Sequence, residues 1–355
     1  MIRVIKILII LFSLPSICVG QSLQCIYEEL ALKAYEEKDF VKSKAYSDST
    51  LAQCPELFEN AYVWYVRGHV LWNIFKVVDN RAPTSSAREE SLEAFYRSIL
   101  LDSANHDYDS ASKASIDNIA VTYWNDIVHT MDTNSFDKAI VFYNKFSKAK
   151  KIAIPEYDLS QNNMVFYRAL GDVYRQKYNN NKKRFSDFID LSIETYKKVL
   201  KIDSMDYSTN YNLGVIYHNL GVDLILTEID YVEDIELLML FQEKTVEYFS
   251  SALPYLQNAY LMQPNNQQVV QGMAAVYLSL HDEEKHLMYM SVLKDLQKSE
   301  NESKPNIESY PAWDASVKYS TGDIVVFSGY IYKAITVSTG VTPNSSSADW
   351  LKINE

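Results

Sequence analysis

The sequence predicts a mainly α chain, a solenoid of helix hairpins, followed by a small β-rich module. Three observations carry this. From about residue 22 to residue 298, apolar residues recur at three- and four-residue spacing, the signature of amphipathic helices. A short Leu-Gly-x-x-Tyr pattern returns along that region, as internal repeats do. After a polar, Pro-containing stretch at 299–309, the pattern changes to the alternation of strands and Gly-containing turns.

The N-terminus reads as an export leader over residues 1–20. Arg3 and Lys6 form a basic start, residues 7–14 a short apolar core, and Cys18-Val19-Gly20 places small residues at a cleavage point that leaves Gln21 first. The apolar run is too short to span a bilayer, and no later stretch stays apolar for about 18 residues, so no transmembrane segment is expected. The formal charge of −12 becomes more negative once Arg3 and Lys6 leave, which argues against nucleic acid as a partner. The one basic cluster, Lys182-Lys183-Arg184, sits in an Asn-rich stretch and reads as a solvated loop.

An exported chain meets an oxidising compartment, where Cys25 and Cys54 can pair. If a first helix starts near Cys25 and its antiparallel partner ends near Cys54, the hairpin brings the two together, closing a loop that stabilises by some 3 kcal/mol. Neither cysteine has the close Cys or His neighbours of a zinc site.

The clearest repeat signal is Leu213-Gly214-Val215-Ile216-Tyr217, matched by Leu170-Gly171-Asp172-Val173-Tyr174 and more weakly by Gly68-His69-Val70-Leu71 and Met273-Ala274-Ala275-Val276-Tyr277. The second-helix half shows in Ala252, Leu256, Ala259 and Pro264, in Thr50 with Pro55, and in Ala139, Tyr143 and Phe146. These patterns resemble the tetratricopeptide repeat, in which a small residue lets two helices approach and an aromatic side chain fills the gap to the next hairpin. About six degenerate copies fall near residues 25–56, 60–104, 118–152, 163–204, 208–266 and 268–298, making a helical repeat domain over 21–298. The helix-ending slots at Pro55, Ser103, Ser204 and Pro264 stand about 48 or more residues apart, against a family period of 34. Extra residues lie within 76–88 and 179–186, and the apolar stretch 222–247, with Ile229 and Val232, is expected to lengthen helices or add one.

The resemblance implies a groove for a protein or peptide. The family's inward-facing positions carry over to Arg168, Asp172 and Arg175 on one first helix and to Tyr211, Val215 and His218 on the next.

Residues 299–309 read as a linker, and the module over 310–355 as strands at 323–327 and 330–336 joined by a Ser328-Gly329 hairpin turn. The order Trp313, Tyr319, Gly322-Asp323-Ile324-Val325, Gly329, Tyr332-Lys333-Ala334, Gly340, Pro343 and Trp350 resembles the small chitin- and cellulose-binding modules of carbohydrate-binding families five and twelve. That resemblance implies a polysaccharide partner of chitin or cellulose type, held by aromatic faces against the C–H faces of sugar rings. The family's adjacent exposed aromatics are replaced here by Ile335-Thr336. The candidates are then Trp313, Tyr319, Tyr330 and Trp350, with Tyr319 and Tyr330, beside turn residues, expected to be the exposed pair; Trp313, Tyr332 and Trp350 also suit a small core.

No catalytic constellation emerges. His281 and His286 are five residues apart, which on a helix splays the imidazoles by about 140°. No nucleophile elbow, phosphate loop or Cys-His arrangement appears in the sequence, and neither a metal nor a cofactor is expected. The sequence therefore predicts a secreted or periplasmic, non-catalytic scaffold, its repeats binding protein and its C-terminal module binding glycan or the cell surface. The alternative is an accessory component of a polysaccharide-degrading system.

Overall fold

The computed structural model describes residues 25–102, 106–227, 234–303, 307–344 and 346–353. The residues read as a leader, 1–20, and Ser103, Ile229 and Val232 lie outside the described residues. The chain divides into two compact units, one up to Leu159 and one from Ser160.

Among the described residues the first unit holds six α-helices in three hairpins: α1 (Ile26–Glu36) with α2 (Phe40–Gln53), α3 (Ala61–Asn73) with α4 (Ser86–Leu101), and α5 (Asp109–Thr130) with α6 (Phe136–Ala153). The turns have local causes. Asp39 accepts the Lys42 amide and starts α2, Asn60 accepts the Tyr62 amide and starts α3, and the buried Asp102 carboxylate accepts the amides of Tyr108 and Asp109 at the head of α5. Part of the extra length at 76–88 is absorbed by a π-helical turn, Ile74–Val78, that prolongs α3. Cys25 and Cys54 form a disulfide with Cα atoms 6.0 Å apart, tying the start of α1 to the end of α2.

The second unit holds α7 (Ser160–Asn180) with α8 (Asp187–Leu200), α9 (Tyr207–Thr227) with α10 (Ile235–Met262), and α11 (Gln267–Ser279) with α12 (Glu283–Ser303). The apolar stretch 222–247 lengthens α9 and α10, and among the described residues it adds no further helix. Helix α12 continues to Ser303 instead of giving way to linker at 299, because nothing in Ser299-Glu300-Asn301-Glu302-Ser303 breaks a helix; the first breaker is Pro305.

The close approach inside each hairpin explains the repeat pattern. A Cβ built on Gly171 would come within 2.7 Å of the Tyr196 ring, and one on Gly68 within 2.6 Å of the Phe95 ring. A second-helix serine locks the same place: Ser43 donates to the Ala31 carbonyl, Ser91 to Gly68 and Ser192 to Gly171, all at 2.8 Å. In the last hairpin the His286 Nδ1 takes that position, 2.8 Å from the Ala274 carbonyl, while His281 sits in the preceding turn at φ 58°.

The C-terminal module has strands β1 (Lys318–Tyr319), β2 (Ile324–Phe327), β3 (Tyr330–Ala334), β4 (Ser338–Thr339) and β5 (Trp350–Lys352). β2, β3 and β5 make one antiparallel sheet in that order, and β1 pairs with β4. Ser328 and Gly329 both have positive φ, the geometry of a tight two-residue hairpin turn. The fold is thus mainly α, in tetratricopeptide-like hairpins, followed by a small antiparallel β region.

Candidate protein-interaction surfaces

The six groove candidates all lie half-buried on the two first helices α7 and α9. The charged ones belong to a polar seam in which partners are already taken. Arg168 pairs with Asp206, whose carboxylate also accepts the Thr209 amide at the head of α9. Asp172 accepts from the Tyr196 hydroxyl at 2.6 Å, from Arg175 at 3.3 Å and from the Asn212 side chain at 3.3 Å. Burial, with the Asp172 carboxylate second, raises the Tyr196 phenol well above its ordinary value, so it stays a donor.

Further along the seam, Arg175 and Val215 share a cleft with Asn219, and Lys182 of the basic cluster pairs with Asp223 across it. His218 contacts Ser279 of α11 at 3.3 Å and lies against Phe249 of α10, and burial lowers its pKa from 6.5. Tyr211 packs on the core shared by α10, α11 and α12 and stacks on Tyr207. The structure therefore brings Arg168, Asp172, Arg175 and Val215 together along one seam and engages Tyr211 and His218 with the next hairpin.

Sequence reasoning missed a hollow on α9 and α10. It measures about 410 Å³ and is lined by Leu220, Leu224 and Thr227 of α9 and Leu240, Phe241 and Tyr248 of α10, with Asp223 and Lys244 adding charge. Leu220 and Asp223 also line the cleft beside Arg175, so hollow and seam are continuous. Around it Leu226, Met239 and Val246 are exposed, and Ile235 is 73% exposed. The only available sequence signal was the unusual apolar length of 222–247.

No family profile matches the chain, and no curated protein matches it in sequence. Among solved structures the chain is similar to two forms of a monomeric IFIT1 mutant, one with m7Gppp-AAAA and one with Gppp-AAAA. Each is 13% identical at a TM-score of 0.31, covering 76% of this chain and 59% of the other. The chain thus spans less than two thirds of those proteins. It is also similar to the TPR domain of P58(IPK), 13% identical at a TM-score of 0.18, covering 79% of this chain and 99% of that one.

In the C-terminal module the expected exposure of Tyr319 is overturned: Tyr319 is 6% exposed and Trp350 3%. Pairing of β1 with β4 turns Tyr319 inward onto Trp350, ring centroids 5.2 Å apart, and the Tyr319 hydroxyl accepts the Asp314 amide. Both belong to the small core with Val325, Tyr332 and Ala334, against which Trp313 and Phe327 pack. Tyr330, at 40%, is the exposed ring of the four candidates, and the Lys352 ammonium lies 3.5 Å from its centroid.

Proposed function

We propose that this chain is an exported, non-catalytic scaffold whose second unit holds an apolar segment of a protein partner. The observation that carries this reading is the 410 Å³ hollow on α9 and α10, apolar in its walls and continuous with the polar seam of α7 and α9. Such a surface suits a helical or extended segment with two or three large apolar anchors and polar groups toward Asp223 and Lys244. The exposed apolar residues around it exceed what a solvated helix end requires. Export is supported by the leader-like N-terminus and by the Cys25–Cys54 disulfide, a bond that persists in oxidising compartments.

In this reading the C-terminal module supplies an attachment contact to glycan or another surface, resting on Tyr330 and on the exposed Ile335, Val337 and Val341. With one ring in place of an aromatic platform, affinity for insoluble chitin or cellulose is expected to be weak and to fall further in Tyr330→Ala.

The test of the scaffold reading is crosslinking of the full chain in an envelope fraction, comparing wild type with Leu224→Glu and Leu240→Glu. A charged carboxylate in the hollow should remove the captured protein while leaving the melting temperature within a few degrees. Capture of the same protein at the same yield by both variants would overturn the site.

A further inference from the structure

We propose that the first unit carries a separate site, an aromatic cup that takes the cationic side chain, lysine or arginine, of a partner polypeptide. The cup is a hollow of about 220 Å³ walled by Leu32 and Tyr35 of α1 and by Tyr62, Tyr65, Val66 and His69 of α3. Residues 62, 65, 66 and 69 are three or four apart and therefore share one face of α3. Tyr108, at the head of α5, packs against two of the tyrosines in tilted contacts, its ring 5.5 Å from Tyr62 and 5.3 Å from Tyr65.

Three features select a cation. The faces of tyrosine rings attract positive charge. Several tyrosine faces elsewhere in the molecule are covered from within, as Lys197 covers Tyr217 and Lys285 covers Tyr277. Among the described residues no lysine or arginine lies over Tyr35, Tyr62 or Tyr65. Glu28, one turn before Leu32 on α1, is close enough to raise the Tyr62 phenol after burial has done so, and puts negative charge beside the cup. Finally, His69, its ring held edge-on between Tyr65 at 4.6 Å and Phe95 at 4.9 Å, adds no positive charge of its own to the wall. Burial, and second the Lys76 charge, lower its pKa from 6.5 and keep the imidazole neutral.

The site is independent of the hollow on α9 and α10. The test is saturation-transfer NMR of the full, disulfide-bonded chain with acetyl-Gly-Arg-Gly amide and acetyl-Gly-Lys-Gly amide, against acetyl-Gly-Gln-Gly amide. Transfer to the arginine and lysine side-chain methylenes is expected at least fivefold above glutamine, lost in Tyr65→Leu and reduced two- to fivefold in Glu28→Gln. Equal transfer to glutamine, no transfer to either cationic peptide, or signals unchanged in the variants would overturn the proposal. Should Tyr65→Leu melt early, Glu28→Gln decides alone, an unchanged signal counting against.

Discussion

The two units place a guanidinium and a carboxylate at opposite depths. In the first unit Arg88 of α4 is 2% exposed, pairs with Asp126 of α5 at 2.6 Å, and lies over the rings of Tyr123 at 4.2 Å, Phe75 at 5.0 Å and Phe142 at 5.6 Å. It also donates to the Pro83 carbonyl. Burial pushes the Tyr123 phenol up to about 12, opposed by Arg88. In the second unit Arg175 and Asp172 lie 3.3 Å apart on one helix, with side chains 31% and 35% exposed. One charge pair joins neighbouring hairpins in a dry aromatic setting, whereas the other remains wet and reachable. A closed pair specifies packing; an open seam can exchange its partners for those of a ligand.

The sharpest way to break the comparison is to remove each guanidinium. Arg88→Ala strands a carboxylate in the interior and empties a space between three rings, so it should cost about 3–5 kcal/mol. Arg175→Ala should cost under about 1 kcal/mol, because water replaces the lost partner. Urea denaturation of both variants checks this; equal losses would show that depth does not separate the two pairs.

The disulfide sharpens the contrast, since it closes its 29-residue separation within the first unit alone. Reduction should destabilise that unit by about 3 kcal/mol and leave the second unchanged. Hydrogen exchange before and after reduction reads this directly, with faster exchange expected in α1 and α2. Uniform acceleration through α7–α12 would contradict it.

A smaller effect tests the geometry inside a hairpin. Gly171→Ala drives a methyl into the Tyr196 ring, whose residue is fully buried and bonded to Asp172, so about 1–3 kcal/mol should be lost. Gly272→Ala meets its first neighbour, Leu256, at 3.2 Å and should cost less. Thermal melts of the pair would settle the order.

These residues also show what the sequence made legible. Gly171, Gly214 and Gly68 announce the hairpins because a steric demand leaves a residue type at a fixed spacing. Ser43, Ser91 and Ser192 do equal work at the same crossings, yet a serine in a helix carries no such signature. Nothing in the sequence marks Arg88, which falls at the end of the extra stretch 76–88, since only the tertiary meeting of α3, α4, α5 and α6 supplies its rings and carboxylate. Tyr319 misleads for a related reason: turn-forming neighbours suggest exposure, but two residues of β1 suffice to turn its ring inward. The α7/α9 seam was legible as positions and not as partners, and the hollow on α9 and α10 lies where the repeat pattern loosens.

The smallest expected effect concerns two half-buried histidines, His69 in the first unit and His218 in the second. Burial pulls both His69 and His218 below 6.5; for His69 the Lys76 charge adds to the lowering, whereas for His218 a hydrogen bond with Asn219 opposes it. Because the folded chain keeps these imidazoles neutral while the unfolded chain protonates them, the unfolded state binds more protons in acid. Their contribution to stability is therefore complete above about pH 6.5 and is lost as pH falls through the unfolded and then the depressed folded value. With both causes acting in one direction on His69, the first unit should be the more acid-sensitive of the two. Urea midpoints between pH 7.5 and 5 should fall less steeply in His69→Gln than in wild type, with a weaker flattening in His218→Gln. A larger flattening in His218→Gln would mean that the second unit, for all its open polar seam, holds the more costly buried group.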